Sequence, residues 1–201
     1  MKISAGLLMY RVKNGIPQVL LVHPGGPFWK NKDEGAWSIP KGEVAEGEDL
    51  LDAARREFEE ELGFAPQGPF TPLSPVRQKG GKVIHAWSFQ GDCDPAAIRC
   101  NTFTIEWPPR SGQQATFPEV DRAEFFDLPA ARKKINPAQV AFIDEMALSS
   151  SACPLYGSPT HGSSNQPGRT GRNGARGTAH RPVDGANDRG GRSGPPADAG
   201  R

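Results

Sequence analysis

Glu57, Glu60 and Glu61 are spaced by three and four residues, so on a helix they share one edge. Like charges at those spacings cost a few tenths of a kcal/mol per pair, and acids near a helix C-terminus oppose the macrodipole by about 0.3 to 1 kcal/mol. Arg56 reaches Glu60 at i+4, but one cation cannot neutralise three anions. A divalent metal would offset the repulsion. Hard carboxylate oxygens suit Mg²⁺, which binds through a few of them and keeps other positions for water and substrate phosphates. A cation held there could act as a Lewis acid or activate a bound water, whereas an acidic helix edge standing alone is more often a solvated face.

The helix that carries these residues is predicted over Asp49 to Leu62, with Asp49 or Glu48 as its cap and Gly63 as its left-handed stop. At 100° per residue Leu51, Ala54, Phe58 and Leu62 form its core stripe, while Arg55 and Glu59 point to solvent. The whole stretch GEVAEGEDLLDAARREFEEELGF, from Gly42 to Phe64, resembles the box of the Nudix hydrolase family. Gly42, Glu48, Arg56, Glu57, Phe58, Glu60, Glu61, Gly63 and Phe64 fill all of its fixed positions. Both bulky positions are Phe where many members carry Leu, Ile or Val.

The resemblance implies a metal-dependent pyrophosphohydrolase using Mg²⁺ or Mn²⁺ on a nucleoside diphosphate linked to another group. It implies Glu57 and Glu61 as the main carboxylate ligands, Glu60 as a further ligand or the group positioning water, and the Gly42 carbonyl as a backbone ligand. Arg56 in this reading orients a neighbouring glutamate, and Lys41, next to Gly42, is a candidate to meet a substrate phosphate. The general base differs among members, and Glu119 and Glu106 are both candidates. The Pro40-Lys41-Gly42 approach looks like that of members acting on dinucleoside polyphosphates or oxidised nucleoside triphosphates.

Other residues could serve the substrate. Trp29, Trp37, Trp87 and Phe28 could stack on a base, and Lys30, Lys32, Lys79 and Lys82 could meet further phosphates of a dinucleoside polyphosphate or a diphosphoinositol compound. His23, His85, His161 and His180 show no paired metal spacing, and no Ser or Cys stands beside a base as a nucleophile. The alternative from another class is a catalytically silent module that binds or senses a nucleotide on the same fold. A third reading assigns the hydrolysis to a capped RNA end.

A sheet must position this helix. Ile3 to Val12 and Pro17 to His23 flank Asn14-Gly15, a strong hairpin signal. Pro24-Gly25-Gly26-Pro27 then breaks regular structure, a short strand is predicted at Ala36 to Ile39, and Pro40-Lys41-Gly42 ends it. Further strands are predicted at Val83 to Gln90, Phe103 to Trp107 and Ala123 to Phe126. Asn136-Pro137 opens a closing helix over Ala138 to Leu148. The class is mixed α+β or α/β, a Nudix-like mixed sheet sandwiched by helices.

The 201 residues divide unevenly. Residues 1–148 hold 17 basic and 20 acidic groups, a net −3, and form the expected hydrolase domain. Residues 149–201 carry seven arginines against three aspartates, a net +4, with Leu155, Tyr156 and Val183 as their only large apolar residues. Such a segment is expected to be disordered, a flexible extension whose Arg and Gly content supports at most weak contact with nucleic acid. No stretch approaches the ~20 apolar residues of a membrane span, and no secretory signal is expected. Cys93, Cys100 and Cys153 lack Cys-x-x-Cys spacing, so reduced thiols and a cytoplasmic location are expected.

Overall fold

The computed structural model describes residues 2–151. The expected disorder beyond Leu148 therefore concerns residues that lie, from 152 on, outside those described. No described helix is long and apolar enough to cross a membrane.

The chain opens with β1 (Ile3–Lys13) and β2 (Ile16–Pro24), antiparallel and joined by Asn14 and Gly15 at φ 54° and 76°. Both central turn residues at positive φ match the twist of the flanking strands, the reason Asn-Gly is favoured there. Then follow β3 (Lys41–Glu43), α1 (Leu50–Leu62), β4 (Thr71–Arg77) and β5 (Val83–Gln90). The chain continues through β6 (Thr102–Glu106), β7 (Gln114–Pro118), β8 (Val120–Asp127), α2 (Leu128–Lys134) and α3 (Val140–Ser151).

The main sheet runs β4-β5-β1-β2-β8, with β3 paired to β1. Only β1 and β5 run parallel; the other pairs are antiparallel. The middle of β1 is buried on both faces, so it reads as a continuous apolar run. Ala5, Leu7 and Met9 meet Ala54, Phe58 and Leu62 of α1 on one face. Leu8, with Val19 and Leu21 of β2, packs on the other face against Ala131 of α2 and Phe142, Ile143 and Met146 of α3. Helices thus cover both faces of the sheet, as expected for a sandwiched mixed α+β fold.

Several elements depart from the expectation. Ala36 to Ile39 is no strand: Trp37 and Ser38 make single bridges to Ile135 and Val22. Lys41 and Gly42, read as a strand end, lie within β3 and pair with Gly6 and Ala5. β4 carries Pro72 and Pro75, which argue against a strand, but it is an edge strand with an irregularity between Leu73 and Val76 that accommodates the missing donor. β6 and β7 form a separate two-stranded ribbon. α2 went unpredicted although Asp127 caps it, accepting from the Ala130 N–H at 2.8 Å. The closing helix begins with a 3-10 turn over Pro137–Gln139 capped by Asn136, and α3 runs on to Ser151, three residues into the expected tail.

Candidate active site

The site is built on α1 and the loop before it. The Asp49 carboxylate accepts from the N–H groups of Leu51 at 2.8 Å and Asp52 at 3.2 Å, which satisfies donors that the first turn leaves free. Gly63 ends the helix at φ 84°, and its N–H donates to Glu59 O at 2.7 Å. The last turn holds no basic residue to complement the dipole. Its carbonyls are met instead by backbone: the N–H of Arg99 donates to Leu62 O and that of Asn101 to Glu60 O, both at 3.2 Å.

Arg56 organises the acids. Its guanidinium grips Glu48 bidentately, Nε to Oε1 at 2.8 Å and Nη2 to Oε2 at 3.0 Å. Nη1 also donates to Glu57 at 2.8 Å and Glu60 at 3.3 Å, and Nη2 to the Glu43 carbonyl at 3.3 Å. Arg56 therefore ties the loop to the helix. Glu48 responds most: the Arg56 hydrogen bonds, helped by one from the Ala45 N–H, hold its carboxyl down at about 2. Glu48 first, and then Glu57, raise the guanidinium above its already high value.

Glu57 and Glu61 answer to burial instead. Desolvation pushes Glu57 up, against the pull of Arg56, and the charges of Glu60 and Glu119 push the same way. Glu61 is pushed up to about 8 by burial, countered in part by the Lys41 charge and a hydrogen bond from the Lys41 backbone. The Lys41 amine is lowered by its own desolvation and by Lys82, while Glu61 and Glu57 draw it back up. Lys41 is thus beside the glutamates rather than loose in solvent.

Gly42 meets the helix more closely than any side chain would allow. A Cβ at this position would lie 1.8 Å from Glu57 Oε2, so the carboxylate occupies the space a side chain would need. The box glycine is therefore dictated by sterics at the joint between β3 and α1.

Glu119, one of the two base candidates, is exposed at the β7–β8 junction, and its charge acts on both Glu57 and Glu61. Its backbone links neighbouring segments, its N–H donating to Asn101 O and its carbonyl accepting from the Gly25 N–H, both at 2.9 Å. Glu106 is placed differently. Its carboxylate accepts from the Gly112 N–H at 2.8 Å at the far end of the ribbon. Five residues, about 17 Å of rise in an extended strand, separate it from Asn101, whose N–H meets the helix end. The structure brings Glu119 to the cluster and leaves Glu106 at the hairpin loop.

Among the described residues no three His, Cys, Asp or Glu side chains converge tightly enough to hold a metal ion. Arg56 draws Glu57 and Glu60 toward itself. The donor chemistry nonetheless fits a divalent cation: hard carboxylate oxygens, with Glu57 and Glu61 both lifted by burial.

The aromatic candidates separate cleanly. Trp37 is 1% exposed within one core and donates to Asp33, and Trp87 packs against the other core. Phe28 and Trp29 remain in solvent. Lys82 pairs with Glu43 at 3.6 Å and Lys32 stands over the Trp29 ring at 4.5 Å. Sequence reasoning missed Asn101, whose capping role depends on tertiary contact, and Trp107, whose partner Phe28 lies far away in sequence. Cys93 and Cys100 are free thiols, Cys93 pushed up to about 11 by burial; Cys153 lies outside the described residues.

The family model described as NUDIX domain matches residues 2–146. The chain belongs to the Nudix family of hydrolases. An Ap4A hydrolase from C. elegans, solved as a binary complex, is 21% identical, with a TM-score of 0.54 over 76% of this chain and 99% of that one. A mutT/nudix family protein from Listeria innocua is 19% identical, with a TM-score of 0.52 over 77% of this chain and 96% of that one. At such identities the likeness is one of fold. No curated protein matches the chain.

Proposed function

We propose that the protein is a Mg²⁺- or Mn²⁺-dependent pyrophosphohydrolase that cleaves the phosphoanhydride bond of a nucleoside diphosphate linked to another group. Dinucleoside polyphosphates and oxidised nucleoside triphosphates are the favoured substrates, on the Pro40-Lys41-Gly42 approach to the box. The observation that carries the proposal is the seating of the Glu57 carboxylate against Gly42 beside a Glu61 carboxyl that burial leaves undercompensated. A pure binder has no need to keep like-charged glutamates along one helix edge.

In this reading Glu57, Glu61 and the Gly42 carbonyl hold the cation, and Glu60 is a further ligand or orients water. When bound, the cation supplies charge shielding at the phosphates and a more acidic water. Lys41, whose amine is lowered by desolvation and drawn back up by the Glu61 and Glu57 charges, meets a substrate phosphate. Arg56 sets the rotamers of Glu57 and Glu60 through its hydrogen bonds and is held in turn by Glu48. Glu119 is the base candidate favoured by its charge contact with the cluster.

The test is product analysis on dinucleoside polyphosphates, nucleotide sugars, oxidised triphosphates, capped RNA and diphosphoinositol compounds, with Mg²⁺ or Mn²⁺ and with chelator. Metal-dependent release of phosphate or nucleoside monophosphate, lost in Glu57→Gln, is the expected result. Nucleotide binding with no turnover of any substrate would establish the silent module instead.

A further inference from the structure

The pairing of β2 with β8 is interrupted two residues after Glu119. Val22 pairs with Ala123 and His23 with Arg122, but Pro24 pairs with Val120, so Asp121 is an extra residue without a cross-strand partner. In an unbroken strand Asp121 would share the face of Ala123, which packs in the core beneath α1, and would point away from His23. A bulge re-aims such a side chain. Here Asp121 Oδ1 lies 2.6 Å from His23 Nδ1, while the Arg122 guanidinium stands over the neighbouring Trp37 ring at 5.1 Å. The bulge therefore delivers both charged side chains to the face that carries His23.

His23 is fully buried, a place where a polar ring needs partners. Its Nε2 lies 2.8 Å from the Lys32 carbonyl, and its ring meets Trp37 edge to face with centroids 5.2 Å apart. Asp121 also has Arg122 Nε at 3.7 Å, and behind Trp37 the indole donates to Asp33, which Lys134 holds. A carboxylate and a carbonyl only accept, so the ring satisfies both when each nitrogen carries a proton. His23 is thus a two-armed tie between β8 and the loop after β2.

Glu119 lies inside that tie. Gly25, two residues after His23, donates to the Glu119 carbonyl at 2.9 Å, and a Cβ on Gly25 would stand 2.0 Å from Pro118 O. The two backbones touch at a point where only glycine fits. On the other side the Glu119 N–H donates to Asn101 O at 2.9 Å, Asn101 donates to Glu60 O at 3.2 Å, and Cys100 Sγ donates to Val120 O at 3.1 Å. Glu119 itself is exposed, so its backbone must aim the carboxylate whose charge acts on Glu57 and Glu61.

We propose that His23 and Asp121 are positioning residues for Glu119: their contact fixes the bulge, and the bulge fixes where Glu119 stands against the box glutamates. Neither touches substrate, and both lie outside the box. The inference rests on the hydrolase reading with Glu119 as its base.

The test separates the two arms of the ring. Asn carries its side-chain nitrogen as far from Cα as Nδ1 does, and Gln as far as Nε2. His23→Asn therefore keeps a donor for Asp121, and His23→Gln keeps only the one for Lys32. In the full chain, with Mg²⁺ and the substrate turned over fastest in the product analysis, His23→Gln and Asp121→Ala are expected to lower kcat about tenfold or more with KM held. His23→Asn should retain most of the parental rate. Because the pair acts through Glu119, adding His23→Gln to Glu119→Gln should cost no more than about twofold further. Amide hydrogen exchange, read in chelator without substrate, should quicken at Gly25 and Glu119 in His23→Gln and Asp121→Ala and stay near parental in His23→Asn. The Asp121 side chain is 30% exposed, so its variant carries the test should His23→Gln fail to fold. A parent chain that turns over nothing would overturn the hydrolase reading and leave amide exchange to decide the tie. Parental exchange at Gly25 and Glu119 in both disruptive variants, rate losses that add to that of Glu119→Gln, or parental turnover by Glu119→Gln would overturn the proposal.

Discussion

The carboxylate of Glu57 fills the space beside Gly42 that a side chain would otherwise claim, with Oε2 only 1.8 Å from where a Cβ would stand. One contact thus fixes the distance between β3 and α1 and the direction in which Glu57 points. Gly42→Ala must push the carboxylate, the strand or both aside. A displacement of about 1 Å at a reacting site can cost 10²-fold in rate. The expected outcome is a kcat/KM lowered about 100-fold in a protein that still folds, checked by circular dichroism beside the kinetics. Full activity in that variant would show that Glu57 is free to move without consequence.

Arg56 holds Glu48, Glu57 and Glu60 by hydrogen bonds. Its planar fork meets both oxygens of Glu48 while reaching Glu57 and Glu60, a set of bonds that a point-charge ammonium cannot reproduce. Arg56→Lys should therefore behave almost as badly as Arg56→Ala. Loss of such an orienting partner commonly costs about 10- to 100-fold in metal affinity or activity. Metal titration by calorimetry alongside kcat/KM checks it, and a Lys variant with parental metal affinity would reduce Arg56 to an ordinary surface ion pair.

Glu60 separates chemistry from stability. Its side chain is 39% exposed and its contact with Arg56 is long at 3.3 Å, so the pair contributes no more than about 1 kcal/mol. Glu60→Gln also relieves repulsion within the stripe. Turnover should fall by about 10² or more, with Tm nearly unchanged by calorimetry. Unaltered turnover would remove Glu60 from the reaction.

How much of this was legible in the sequence follows from how local each signal is. The Asn14-Gly15 turn, the Asp49 cap and the Gly63 stop depend on residues a few positions apart, and each lies where periodicity and capping place it. The box glutamates share an edge because helical spacing requires it. β4 and α2 were hidden because prolines obscured one and the other is a single short capped segment. Nothing local could show that Asn101 caps the end of α1, that Trp107 meets Phe28, or that the Trp37 ring is core while Phe28 is exposed. Those facts belong to the packing of distant segments.

Glu61 gives the site a pH dependence whose sign is fixed. Burial lifts its carboxyl from 4.5 to about 8 in the folded, metal-free chain, the largest cause being desolvation of the charge. Between those values the unfolded chain is ionised while the folded one holds a proton, so the folded state binds more protons and loses stability as pH rises. Glu61 thus favours folding fully below about pH 4.5, and that contribution is gone above about pH 8. In chelator the parental Tm should fall across this window more steeply than that of Glu61→Gln, whose neutral amide has no proton to lose. A ligand carboxyl must shed its proton before it binds a cation, so Mg²⁺ or Mn²⁺ should bind more tightly, with proton release, across the same interval. Added metal should then restore Tm most at alkaline pH. Calorimetry in two buffers of different ionisation enthalpy measures the released proton directly. A metal affinity independent of pH, with identical Tm profiles for the parent chain and Glu61→Gln, would mean that Glu61 neither feels its burial nor meets the cation.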